Sequence, residues 1–168
     1  RSQNQAMEAQ VVDGHTADIS CVKYAPDGLS LATGSYDGTV IIWECTKHPF
    51  EIKFSFHAAI DGISSISFSF DSKRLVVGGK ERNGTVNIWD LYEDSAVLSV
   101  TLPIHIDHVT CVNLAPNDSI VASASVDKSI HFYVLTNAAK GEWRMYHAAQ
   151  SHKGIVSSIA WAPNSCRA

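Results

Sequence analysis

Four histidines, His15, His57, His105 and His152, stand 42, 48 and 47 residues apart. His15 and His105 are each followed by a serine and then an aspartate: Ser35 and Asp37, Ser125 and Asp127. Imidazole, hydroxyl and carboxylate are the parts of a hydrolytic triad, in which the base is oriented by the acid and activates the nucleophile. The recurrence argues against that chemistry. A triad is needed once per active site, whereas this trio occurs at equivalent positions in two units. Repetition suits a structural hydrogen-bond chain in which buried polar tips satisfy one another. The chain also lacks a Gly-rich phosphate loop, an H-E-x-x-H pair and a repeated carboxylate pair. The expectation is therefore no catalytic residue, no cofactor and no metal.

The four cysteines, Cys21, Cys45, Cys111 and Cys166, are dispersed with no C-x-x-C pair. Neither a zinc site nor a disulfide framework has that spacing. Cys21 and Cys111 fall inside apolar strand patterns, where a free thiol acts as a small hydrophobe. A reducing compartment follows, so the expected localisation is cytoplasmic, nuclear or both. Thirteen basic residues are scattered among 17 acidic ones, for a net charge of -4. No basic stripe for nucleic acid or lipid headgroups emerges, and neither nucleic-acid binding nor membrane insertion is expected. No apolar run approaches the ~20 residues that span a bilayer as a helix.

The elements that must hold these side chains repeat with them. After each histidine comes a short apolar strand ending in Ala-Pro-Asp or a variant: Ile19–Asp27, Ile63–Asp71, Val109–Asn117 and Val156–Asn164. Pro and Asp or Asn pre-set a turn there. A second strand follows in the first three units, at Leu31–Ser35, Leu75–Gly79 and Ile120–Ser125. Next come the tight turns Tyr36-Asp37-Gly38, Arg82-Asn83-Gly84 and Val126-Asp127-Lys128, with Asp-Gly and Asn-Gly acting as hairpin signals. A third strand ends in Trp43, Trp89 or Tyr133, and a fourth, more polar one covers Glu51–Phe56, Val97–Thr101 or Trp143–His147. No 3.6-residue periodicity is visible, which predicts an all-β chain. A four-stranded unit repeated every 40–50 residues predicts radial stacking of blades, because one unit cannot bury both of its faces.

On these residues the chain resembles the WD-repeat β-propeller family. The resemblance rests on Gly14-His15, on the run Ser35-Tyr36-Asp37-Gly38-Thr39-Val40-Ile41-Ile42-Trp43 and on the dipeptide Trp89-Asp90, and covers about residues 7–164. It implies a WD-type propeller with about four blades' worth of sequence, read as a portion of a ring of about seven. Residues 1–6 are read as a lead-in and 165–168 as a tail; the units are about 13–56, 57–101, 105–147 and a partial 152–164. An outer strand is expected at Met7–Val12 and an inner one at Val156–Trp161. Residues 1–168 alone are expected to fold poorly or to pair with more propeller.

The resemblance also implies a buried network of histidine, strand serine, turn aspartate and strand tryptophan. Its members are His15, Ser35, Asp37 and Trp43 in the first unit, His57 and Trp89 in the second, His105, Ser125, Asp127 and Tyr133 in the third, and His152 in the fourth. The second unit departs most: Gly79-Lys80-Glu81-Arg82-Asn83 replaces Ser-x-Asp and adds residues, which predicts an incomplete network and a protruding turn. Partners in this family often dock on the loop face around the central channel. The corresponding positions are Asp18, Ser20 and Tyr36; Gly62, Ser64 and Arg82; His108, Thr110 and Val126; Ile155 and Ser157. Tyr36 and Arg82 are of types enriched in interface hot spots.

The function this implies is a protein-interaction scaffold, a subunit of a multiprotein complex. It binds partner proteins or peptides, and further blades come from the same or another chain. The alternatives are a propeller for nucleic acid or phospholipid, or a non-catalytic subunit tied to an enzyme. The stretch from Gly141-Glu-Trp143 to Ala160-Trp-Ala-Pro163 resembles propellers of coat and pore scaffolds, and other parts resemble actin-regulating propellers; neither resemblance chooses a partner.

Overall fold

The computed structural model describes residues 13–103 and 105–162. The lead-in at 1–6, the strand expected at Met7–Val12 and the tail at 165–168 lie outside the described residues. Within them the chain is all-β and forms three four-stranded antiparallel sheets, each wound in sequence order. Blade 1 comprises β1 (Ile19–Tyr24), β2 (Ser30–Ser35), β3 (Thr39–Glu44) and β4 (Glu51–His57). Blade 2 comprises β5 (Ile63–Phe68), β6 (Arg74–Gly79), β7 (Thr85–Leu91) and β8 (Ala96–Pro103). Blade 3 comprises β9 (Val109–Leu114), β10 (Ile120–Ser125), β11 (Ile130–Asn137) and β12 (Glu142–Ala149).

Burial explains the order of the strands. The second strands are buried along almost their whole length, as in Leu75, Val76 and Val77, all fully buried, and the third strands β7 and β11 alternate buried with half-buried residues. The fourth strands β4 and β12 are largely exposed and carry the charged residues, so they form the outer rim. Two cores fill the spaces between blades. One joins Val40 and Ile42 of blade 1 to Ile63, Ile66 and Leu75 of blade 2. The other joins Val76, Val86 and Ile88 of blade 2 to Val109, Val112 and Tyr133 of blade 3.

The inner strands β1, β5 and β9 pack side by side, and their side chains stitch one blade to the next. Ser20 Oγ donates to Ile63 O at 2.6 Å. Ser65 Oγ accepts from the Val112 amide at 3.1 Å, and Ser67 Oγ accepts from the Leu114 amide at 3.1 Å. Close approach is possible because β2 and β6 place glycine opposite the incoming side chain. A Cβ on Gly34 would lie 2.8 Å from Ile63, and one on Gly78 would lie 2.8 Å from Val109.

Residues 156–162 take the same seat on blade 3. Thr110 Oγ1 donates to Val156 O, Asn113 Nδ2 donates to Ile159 O at 3.1 Å, and Trp161 Nε1 donates to Asn113 O at 3.1 Å. The inner strand expected at Val156–Trp161 is nevertheless not a strand: the segment is extended alongside β9, with no ladder partner among the described residues. Strand identity requires a paired neighbour, and side-chain stitching does not supply one.

Candidate partner-binding face

The loops entering the inner strands and the turns leaving β2, β6 and β10 meet at one end of the blades. Three backbone hydrogen bonds fix the correspondence between blades. The amide of Tyr36 donates to Asp18 O at 3.0 Å, that of Lys80 to Gly62 O at 2.9 Å, and that of Val126 to His108 O at 3.0 Å. The residue equivalent to Tyr36 and Val126 is thus Lys80. Arg82, assigned to that position from the sequence, is corrected here: it lies two residues further on, exposed in the longer turn of blade 2. Its misplacement came from counting backwards from Asn83-Gly84 across an insertion.

A cavity of about 570 Å³ opens between the three blades at this end, lined by Ser20, Tyr36, Asp61, Ser64, Lys80, His108, Val109, Thr110 and Val126. Six of these were picked from the sequence. Asp61, Lys80 and Val109 were missed, although each sits next to a chosen residue or at its true equivalent. Lys80 Nζ rests 3.8 Å from the centroid of the Tyr36 ring, a cation–π contact that holds two long side chains at the cavity wall. Gly62 sits under Tyr36 with φ of 101°, where a Cβ would fall 2.9 Å from Tyr36 Cα. Of the other chosen positions, Asp18, Ile155 and Ser157 are exposed at the same end but do not line the cavity. The hydroxyls of Ser20, Ser64 and Thr110 all donate to backbone carbonyls, so they present acceptor lone pairs to the cavity.

Beneath this face run the histidine networks, and the three blades differ. In blade 1, Trp43 Nε1 donates to Thr33 Oγ1 at 2.9 Å, and Thr33 Oγ1 pairs with His15 Nε2 at 2.8 Å. His15 Nδ1 meets Thr39 Oγ1 at 2.9 Å, and Thr39 Oγ1 donates to Asp37 Oδ1 at 2.5 Å. The hydroxyl between indole and imidazole is therefore Thr33, which corrects the assignment to Ser35. Ser35 instead ties the turn, donating to Ala17 O and accepting from the Asp37 amide, both at 3.1 Å. Burial pushes the Asp37 carboxyl up, but hydrogen bonds from Thr39 and the Thr16 amide outweigh it and hold it well below the usual range.

Blade 3 repeats the chain with Ser123 in the place of Thr33; Ser125 again ties the turn. His105 Nδ1 donates to Asp127 Oδ2 at 3.0 Å, while Nε2 meets Ser123 Oγ at 2.7 Å. A second imidazole joins it: His131 stacks on His105 with centroids 4.1 Å apart and planes 5° from parallel. Tyr133, standing where blades 1 and 2 have tryptophan, reaches His131 Nδ1 at 3.5 Å. Burial depresses both histidines, His131 further because His105 is beside it, down to about 4. Burial would raise Asp127, yet the Ser129 hydroxyl and amide and His105 lower it to about 2.

In blade 2 the network is rebuilt around a different acid. Glu81 Oε1 accepts from the Ile60 amide at 2.9 Å, and Oε2 accepts from Thr85 Oγ1 at 3.2 Å. Asp37 and Asp127 receive the same bonds, from the Thr16 and Ile106 amides. The longer side chain folds over Gly79, where a Cβ would lie 1.8 Å from Glu81 Oε2; glycine here replaces Ser35 and Ser125. This register makes Ala59 the equivalent of His15 and His105, and Val77 the equivalent of Thr33 and Ser123. His57 is corrected accordingly: it ends β4, exposed, and takes no part in the network. Trp89 Nε1 is left buried with no hydrogen-bond partner among the described residues. His152 is likewise exposed and outside any network described.

A three-bladed all-β array with inter-blade cores and a loop face at the hub end defines a β-propeller. The WD domain, G-beta repeat profile matches residues 7–44, 50–90 and 97–133, more than half of the chain, and the chain belongs to that family. It is 26% identical to WD repeat-containing protein 1 of Mus musculus over 94% of this chain and 32% of that protein. It is 31% identical to the guanine nucleotide-binding protein subunit beta of Arabidopsis thaliana, over 71% of this chain and 33% of that one. It is 36% identical to the WD repeat-containing protein 26 homolog of Drosophila melanogaster, over 53% of this chain and 14% of that protein. The chain therefore spans about a third or less of these relatives. WD-repeat proteins generally act as protein-interaction scaffolds, and the family is generally non-catalytic.

Proposed function

We propose that this chain is a scaffold subunit that seats a partner protein on the hub-end face, with Tyr36 and Lys80 as anchors. One observation carries the reading: all three blades contribute to a single 570 Å³ cavity, and its wall holds a pre-positioned aromatic–ammonium pair. Rigid anchors at a concave centre are where interface energy concentrates. The Arabidopsis relative is by its name a subunit of a complex, which supports the same reading.

The test compares full-length wild type with Tyr36→Ala/Lys80→Met by quantitative co-purification. Proteins held by this face should be retained at least about tenfold less, matching a loss of ~1.4 kcal/mol or more, while the melting temperature stays put. Arg82→Ala, which leaves the cavity wall intact, should change nothing. An unchanged partner set in the double variant removes the face from the proposal.

The flanks support a second class of partner, further blades. On blade 1, Ile19 and Val22 are 53% and 56% exposed, whereas their equivalents in the next blades, Ile63 and Ile66, Val109 and Val112, are buried. A sheet presenting apolar residues there would bury this uncovered repeat of the pattern. The assignment to cytoplasm or nucleus rests on the thiols of Cys21, Cys45 and Cys111 being free; imaging the tagged full-length protein tests it.

A further inference from the structure

Blades 1 and 3 each fill the same internal position with an imidazole from their own chain, and blade 2 does not. Ala59 stands at that position, while the carboxylate and hydroxyl that would receive the imidazole, Glu81 and Thr85, are present. A groove of about 350 Å³ opens there, bounded by Ala59, Glu81, Thr85, Asn87, Trp89 and Leu98. Its walls share no residue with the hub-end cavity.

We propose that this groove is a binding site for a histidine side chain supplied by a docking protein segment. The incoming Nδ1–H would donate to Glu81, as His105 Nδ1–H donates to Asp127 at 3.0 Å. The ring plane would face Asn87, which holds the β7 position corresponding to His131 on β11, the residue that stacks on His105. On the far side Val77 removes the hydroxyl that in blade 1 bridges indole and imidazole at 2.9 and 2.8 Å, so the buried Trp89 indole N–H has no acceptor among the described residues. The groove thus offers a carboxylate acceptor on one side, with an unsatisfied indole donor buried toward the other, the polarity a neutral imidazole matches. This site does not depend on the hub-end reading.

The probe is 4-methylimidazole, the histidine side chain itself, titrated into full-length protein labelled with 5-fluorotryptophan. The Trp89 fluorine signal, identified by its loss in Trp89→Phe, should shift saturably, and the melting temperature should rise. Ala59→His, which places an imidazole in the groove covalently, should abolish the response. Glu81→Gln should weaken it roughly tenfold, since a charged acceptor is lost. Toluene, of similar size but with no nitrogen, should give no saturable shift. The proposal is overturned if 4-methylimidazole leaves the Trp89 signal unmoved, if Ala59→His or Glu81→Gln responds like wild type, or if toluene acts equally well.

Discussion

Blades 2 and 3 have the same strand order and an aromatic at the equivalent position of the third strand, Trp89 and Tyr133, yet they solve its interior oppositely. Blade 3 over-furnishes the site with two stacked imidazoles, two serines, a tyrosine and an aspartate, all hydrogen-bonded. Blade 2 empties it to an alanine and a valine, leaving an indole donor unanswered. Both blades fold because the inter-blade cores, not the networks, supply most of the apolar burial. The network is an addition whose value is set by its weakest member. A complete one contributes, and an incomplete one costs about 1–3 kcal/mol for the orphaned group.

The sharpest way to break this contrast is to remove the acid from each blade. Asp127→Ala strands buried His105 and Ser129 together and should cost about 3 kcal/mol or more. Glu81→Ala, in the more open blade, should cost about 1 kcal/mol. Urea unfolding of the full-length protein, followed by hydrogen exchange in each blade, reads both; equal losses would erase the distinction.

Acid should also find blade 3 first. Folded His131 titrates near 4 and His105 is depressed too, whereas an unfolded histidine titrates near 6.5. Their contribution is fully present above the unfolded value and is lost as pH falls from about 6.5 toward 4. The expected loss is roughly 1–3 kcal/mol, with Asp127 adding its own loss only nearer pH 2–4. His131→Ile, copying Ile41 of blade 1, should flatten the stability curve in that window. A curve as steep as wild type would refute the role of the stacked pair.

The smallest effect comes from repairing blade 2. Ala59→His with Val77→Thr should restore the chain seen in blade 1 and gain about 1–2 kcal/mol, with the two changes coupled. Val77→Thr alone should recover only part of that gain: its hydroxyl can accept from the orphaned Trp89 indole N–H, as Thr33 does from Trp43, but it finds no imidazole to pair with in turn. Additive single effects in the thermodynamic cycle would mean the relay does not exist as a unit.

Most of the architecture was legible because strand alternation and Pro-Asp or Asp-Gly punctuation are local signals. β10 was read as Ile120–Ser125, and the structure has it there. What failed were register questions. His57 stood at a plausible spacing, but the equivalent position is Ala59, and an absent histidine leaves no mark to find. Lys80 and Glu81 were displaced by the longer turn of blade 2. Counting forward from Gly79, the last residue of β6, would have recovered both. Thr33 lost its role to Ser35 because the two lie on one face of the same strand, and only three-dimensional distance tells which meets the indole. Val156–Trp161 has a strand's sequence, but whether it pairs depends on a neighbour, not on its own residues.

The stitching of each inner strand into the next has a mechanical corollary. Where Ser20, Ser65, Ser67 and Thr110 lock onto the adjoining backbone, a slip by one residue would break several hydrogen bonds at once. The hub thus behaves like a splined shaft, with alignment passed from blade to blade along its axis. Among the described residues the rim strands β4 and β12 carry no such keying, so the outer hairpin around Asn137 and Gly141 can lengthen or shorten while the shaft keeps its alignment.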